Sequence, residues 1–250
     1  MSPYSEHPVF EKPSDPNIRI WRYMDLVKYV SLLEKQALYF VRADILADEF
    51  DPFEGQFPND IVVKILEKAN TDSEKEHVLR LLKNIEFQKM LFINCWHINE
   101  LESFHMWKIY AKRNYGIAIQ STFDRLCRSF DVYKKNDVFI GKVKYDNKHV
   151  IFGNSFYPYM HKRPFFKSDK ELRAIILNIW KNYKERLYDD SYLNKKGENI
   201  PVNLDVLIEN IVLAPKTPDY VQDLIISLST KYGMRNPIMK SVLDETPLIK

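Results

Sequence analysis

At 250 residues with 45% apolar content, the chain is sized for one good core, and one or two domains are both admissible. Its 37 Lys and Arg against 34 Asp and Glu leave a net charge of +3, too small for a dedicated nucleic-acid coat but compatible with a local basic groove. Cys95 and Cys127 lie far apart among apolar or basic neighbours, which disfavours a disulfide framework or a cysteine zinc site. The 6 glycines form neither GxGxxG nor a P-loop, which disfavours the glycine-loop nucleotide folds.

In chain order, residues 1–17 carry Pro3, Pro8, Pro13 and Pro16 without the apolar stretch of a signal peptide, and they read as a poorly ordered arm. No run approaches transmembrane length, so no membrane partner is expected and a reducing cytoplasm is the expected compartment. Alternation predicts a strand over 18–23. Asp25 then opens a helix over 26–36 with Leu26, Val30, Leu33 and Ala37 on its apolar face, and a second strand covers 38–41. A loop follows in which Asp44, Asp48, Glu49, Asp51 and Glu54 alternate with Phe50, Phe53 and Phe57. Two polar helices, 61–69 and 73–86, form a helical insertion over 60–90.

The stretch 94–110 concentrates Trp96, His97, Glu100, Glu102, His105, Trp107 and Tyr110. It reads as the end of a strand over 91–96, then a helix of about three turns capped by Asn99, then a strand over 116–122. Such a density of large polar-aromatic side chains marks either an unusual core or the wall of a site. His97, His105, Glu100 and Glu102 do not share one helical face, so no metal is expected there.

Further on, a short helix over 122–128, a strand over 138–145 and an aromatic, proline-bearing loop over 152–166 lead to a strand over 171–176. The charged stretch 182–200 reads as a solvated insertion. Asn203 caps a helix over 204–209, a strand covers 211–214, Pro218 takes the first position of a helix ending at Gly233, and a strand over 238–241 closes. The expected architecture is α+β: one domain over 18–250, built on a split mixed or antiparallel sheet with peripheral helices.

Several ordered motifs carry a resemblance. They are Ile20-Trp21-Arg22-Tyr23, Leu38-Tyr39-Phe40-Val41-Arg42-Ala43-Asp44, Asp51-Pro52-Phe53-Glu54-Gly55, the Cys95-Trp96-His97 to Met106-Trp107 block, Gly116 to Thr122, Phe139 to Tyr145, and Glu171-Leu172-Arg173. Together they resemble the bacterial family called domain of unknown function 2971 from about residue 20 to 241, a family name that implies no reaction.

The order of an early strand arginine, a middle Ser-Thr strand and a late acidic-x-Glu strand is also similar to the arginine–serine–glutamate ADP-ribosyltransferases. The opening looks like their DNA-targeting toxin branch. That resemblance implies NAD as substrate, cleavage of the nicotinamide–ribose bond, and ADP-ribose passed to water or to a macromolecular acceptor, nucleic acid or protein. It implies Arg22 on the phosphates, Ser121 and Thr122 under the nicotinamide ribose, Glu171 on the ribose hydroxyl and Asp169 as the first acid, where the familiar pattern has Glu. Tyr23, Tyr39, Trp96 and Trp107 would line the pocket, with Glu102 supporting Arg22. A toxin or phage-defence role goes with it.

The same residues admit plainer readings. Glu171 could sit in a buried pair with Arg173 or Arg42, Ser121-Thr122 could cap the next helix, and Arg22 could be an edge-strand arginine. Two other functions stay open: a non-catalytic partner- or nucleic-acid-binding module of a defence system, and a metal-dependent nuclease using the acidic loop. Acceptor, oligomeric state and trigger are not written in the sequence.

Overall fold

The computed structural model describes residues 3–46, 67–69, 71, 72, 75, 85–110, 115–146, 156–178 and 195–245. The helices expected over 61–69 and 73–86 and most of the acidic loop lie largely outside these residues, as does 182–194 of the charged insertion.

The fold is mixed α and β, built on one large sheet. Its strands are β1 (Tyr4–Ser5), β2 (Arg19–Asp25), β3 (Ala37–Arg42), β4 (Leu91–Ile98), β5 (Gly116–Thr122), β6 (Val138–Lys142), β9 (Glu171–Leu177), β10 (Gly197–Pro201), β11 (Asn210–Leu213) and β12 (Ile238–Lys240). A separate small parallel pair is β7 (Lys144–Tyr145) with β8 (His161–Lys162). The main order is β1-β6-β9-β4-β2-β5-β11-β12, with β3 and β10 branching from β4. The β1–β6 and β11–β12 pairs are parallel and the others antiparallel.

One edge of β4 serves two strands, and that divides the sheet. β2 pairs with β4 only at Ile20↔Ile98 and Trp21↔His97, then follows β5 as far as Asp25↔Gly116. β3 meets β4 only at Val41↔Ile93 and Arg42↔Phe92, while its first residues pair with β10. Between these contacts Asn94, Cys95 and Trp96 face a fork.

Helix α1 (Leu26–Lys35) bridges β2 and β3 over the fork. Asp25 caps it, accepting from Lys28 N at 2.8 Å, and Gln36 ends it in the left-handed region. Its buried face, Tyr29, Leu32 and Leu33, joins the main core with Ile20, Phe92, Trp96, Ile117, Ile119, Leu172 and Ile225. The opposite sheet face has two smaller apolar clusters. One holds Phe10, Leu91, Ile93, Tyr159 and Ile175, and the other Trp21, Tyr23, Met106, Trp107 and Val212. Alternation along β4 and β9 puts Cys95, His97, Glu171 and Arg173 on this second face, where neither apolar cluster includes His97, Glu171 or Arg173.

Several local expectations are corrected. Residues 3–17 are seated on the sheet: β1 pairs with β6, and buried Phe10 stacks on Phe139. Proline-rich chain folds here because His7 and Phe10 anchor it against Phe139 and Phe156. The second part of the charged stretch is a strand, β10, because Gly197 to Pro201 meet β3 through backbone ladders that no side-chain pattern announces. Helix α2 (Phe104–Tyr110) is two turns long and starts at Ser103, whose Oγ accepts from Met106 N at 3.3 Å. Asn99 instead closes a local turn onto Leu101 O. Pro218 stands one residue before the helix Asp219–Lys231.

Candidate active site

A cavity of about 700 Å³ runs through the fork, inside the ~300–1,000 Å³ range of small-molecule sites. Arg22, Cys95 and Tyr110 line it together with Tyr39 and Asn199 from the β3–β10 limb, His97, Glu171 and Arg173 from the second sheet face, and Lys162 of β8 and Asp169 from the turn before β9.

Arg22 enters the gap that β2 leaves beside β4. Its Nη1 donates to the Cys95 carbonyl at 2.6 Å, replacing the ladder bond that the parted strands do not make. Burial pushes the guanidinium pKa below its usual value, only partly offset by Cys95 and Tyr110, and no carboxylate among the described residues acts on it. A partly buried cation without a counter-ion is costly unless something anionic is to be bound. Asn94 fills the other branch of the fork: its Nδ2 donates to Tyr39 O and its Oδ1 accepts from Trp96 Nε1, both at 2.8 Å.

Glu171 opens β9. Its Oε1 is 2.6 Å from Lys162 Nζ and its Oε2 is 2.7 Å from Arg173 Nε. Burial raises its pKa, but the two cations outweigh burial and hold it at about 2, so it is a carboxylate at neutral pH. Lys162, with a side chain only 4% exposed, also meets Asp169 Oδ2 at 3.1 Å. Arg173 Nη1 donates to Tyr159 O, and Tyr145 OH accepts from Glu171 N, each at 2.7 Å. The Tyr110 hydroxyl is raised to about 12 by burial, first, and by the nearby Cys95 and Glu171, with Arg22 opposing. It therefore lies within electrostatic reach of both Arg22 and Glu171.

Of the residues the sequence singled out, Arg22, Tyr23, Tyr39, Trp96, Asp169 and Glu171 line this cavity. Ser121, Thr122 and Trp107 do not. Ser121 is fully buried and donates to Leu207 O at 2.5 Å. Thr122 is the N-cap of the helix Phe123–Ser129, accepting from Arg125 N at 3.2 Å. Trp107 packs edge-on against Tyr23 and donates Nε1 to Glu102 at 2.8 Å. Glu102 does not support Arg22: it also holds Ser241 Oγ and, at 2.8 Å, Val242 N. Arg42 pairs with Asp44 rather than with Glu171. Among the described residues no three His, Cys, Asp or Glu side chains are grouped to hold a metal ion, and no helix is long and apolar enough to cross a membrane.

Sequence reasoning missed Lys162 and Cys95 as cavity residues, placed Tyr110 only in the 94–110 stretch that could wall a site, and weighed His97 only as a metal ligand. For Cys95 and His97 the signal is present: they alternate with Ile93 along β4, opposite Arg173 and Glu171. Lys162 carries none, because its burial depends on the β7–β8 pair.

No family model matches the chain, so that comparison lends no support to the resemblance to domain of unknown function 2971, and no curated protein matches it. Among solved structures the chain is similar to Thermus sp. 2.9 DarT in complex with carba-NAD+, at 8% identity and a TM-score of 0.42 over 93% of this chain and 98% of that one. It is similar to the same protein with NAD+ at 8% identity and a TM-score of 0.43, over 94% and 100% of the two chains. The form with ADP-ribosylated ssDNA gives 9% identity and a TM-score of 0.43, over 94% and 97%.

Proposed function

We propose that the fork cavity binds NAD as substrate and that the protein is an ADP-ribosyltransferase-like enzyme. It cleaves the nicotinamide–ribose bond and passes ADP-ribose to a macromolecular acceptor, or to water. The observation that carries this reading is that a guanidinium with no carboxylate partner among the described residues, Arg22, and a carboxylate held ionised, Glu171, line one aromatic-walled cavity.

In this reading Arg22 binds the pyrophosphate, since a guanidinium fork matches phosphate oxygens and here meets no carboxylate among the described residues. Tyr23, Tyr39 and Trp96 give the bases and riboses aromatic walls. The Glu171 carboxylate, fixed by Lys162 and Arg173 before substrate arrives, faces the positive charge that develops on the ribose as nicotinamide leaves. Asp169 serves as counter-ion to Lys162. Ser121 and Thr122 take no part.

A second reading, binding without turnover, is favoured by one observation: both Glu171 oxygens already have cationic partners. Incubation with nicotinamide-labelled NAD separates the two, with DNA, RNA and protein supplied as acceptors. Turnover predicts nicotinamide release that Glu171→Gln abolishes. Calorimetric NAD binding with no release by the wild type establishes the binding module. Neither binding nor release discards NAD altogether.

A further inference from the structure

A site that moves ADP-ribose onto an O–H or N–H nucleophile must also dispose of that nucleophile's proton. Glu171 is poorly suited to take it, because a carboxylate held near pKa 2 by two cations is a very weak base. Asp169 already meets Lys162. Among the described residues that line the fork cavity there is one imidazole, and it stands opposite Glu171 in the β4–β9 ladder.

His97 is 4% exposed and lines the cavity. Its Nδ1 is 2.7 Å from the Asp169 carbonyl oxygen. A carbonyl can only accept, so the ring proton sits on Nδ1 and Nε2 carries the lone pair. Nε2 has no hydrogen-bond partner among the described residues, and it is not among the sealed polar atoms without one. The ring is held in place by its Asp169 bond and an edge contact with Tyr23, at 6.4 Å between centroids.

We propose that His97 Nε2 is the proton acceptor of this site, and that its acceptor substrates present an O–H or N–H nucleophile. The proposal rests on the NAD reading above. As the bond from C1′ to the nicotinamide nitrogen breaks, its electron pair leaves with neutral nicotinamide. The nucleophile's oxygen or nitrogen bonds to C1′, and its proton passes to Nε2. The imidazolium keeps its Nδ1–H on the Asp169 carbonyl and later loses the new proton to bulk water. Among the described residues, the charged and titratable groups around the ring are Asp169 and Lys170 beside it, Glu171 across the ladder, His105 in α2, and Tyr23 on β2. Burial, first, and then Lys170 and His105 hold its pKa below the usual histidine value, against the Asp169 bond and charge, so the ring is neutral at pH 7.

The test compares wild type with His97→Asn, whose side-chain N–H reproduces the donor to Asp169 O while removing Nε2. Nitrogen NMR of the wild-type histidine rings is expected to show His97 at pH 7 protonated on Nδ1 alone; a proton on Nε2 overturns the proposal. His97→Asn is expected to keep NAD affinity and to lose nicotinamide release by about a hundredfold or more, with partial rescue by added imidazole. The wild-type rate is expected to fall tenfold per pH unit on the acid side of the His97 pKa, and the variant's to stay flat there. An active wild type matched by His97→Asn in rate and pH profile sinks the role of His97 and leaves the NAD reading standing. A wild type that neither binds NAD nor releases nicotinamide sinks both.

Discussion

Arg22 donates to the Cys95 carbonyl at 2.6 Å where β2 and β4 cease to pair. A side chain has taken the place of a strand, so the bond both stabilises the fork and brings a cation to the cavity. The rest of the guanidinium has donors to spare. Arg22→Met keeps the apolar stem and removes those donors. NAD affinity should drop about tenfold to a hundredfold, the worth of one charge-assisted contact of about 1.5–3 kcal/mol. The melting temperature should hold or rise, because an uncompensated buried charge is also removed. Calorimetry beside a thermal melt checks both. Undiminished affinity in Arg22→Met would remove the cation from the binding site.

Glu171 makes the fold pH-sensitive in a defined direction. Its folded pKa, about 2, lies below the ordinary value of 4.5. The stabilisation is therefore complete above pH 4.5 and is lost as pH falls from there through 2. Glu171→Gln leaves Lys162 and Arg173 buried without their shared anion, costing about 3–5 kcal/mol at pH 7. Urea unfolding of both proteins should show that gap at pH 7 and a much smaller one near pH 2.5. A gap that does not change with pH would mean the carboxylate's charge contributes nothing.

Periodicity made much of the frame legible. Alternation marked β2, largely apolar stretches marked β4, β5 and β9, and Asp25 and Asn203 marked their helix starts. It could not separate a functional Ser-Thr pair from a structural one. Both readings of Ser121-Thr122 need the same residues at a strand end, and only the neighbouring Leu207 carbonyl, 86 positions away, decides. Lys162 and β10 were hidden for a related reason: each is defined by a partner remote in sequence, not by its own pattern.

The structural assignment of that pair is itself testable. Ser121→Ala strands the Leu207 carbonyl and Thr122→Ala removes a helix cap, each costing about 1 kcal/mol. NAD affinity and nicotinamide release should match wild type once the proteins are folded. A selective loss of NAD binding in either variant would return the pair to the cavity.

The proline-bearing amino-terminal segment should behave as part of the core. Phe10 is 6% exposed, Lys142 N donates to Glu11 O at 2.9 Å, and Val138 N donates to Pro3 O at 2.8 Å. Gly141 permits this approach: a Cβ there would stand 2.7 Å from Phe10 Cα and 2.8 Å from its carbonyl carbon, both backbone atoms that cannot swing aside. Phe10→Ala should cost about 3–5 kcal/mol, as for a buried phenyl ring. Gly141→Ala should instead lift the segment and leave the main core of α1 and β5 intact. Limited proteolysis reads the difference: wild type resists cleavage before residue 17, while Gly141→Ala is cut there at a protease dose that leaves the remainder whole. Rapid cleavage of wild type at the same sites would mean that the segment is not anchored by Phe10.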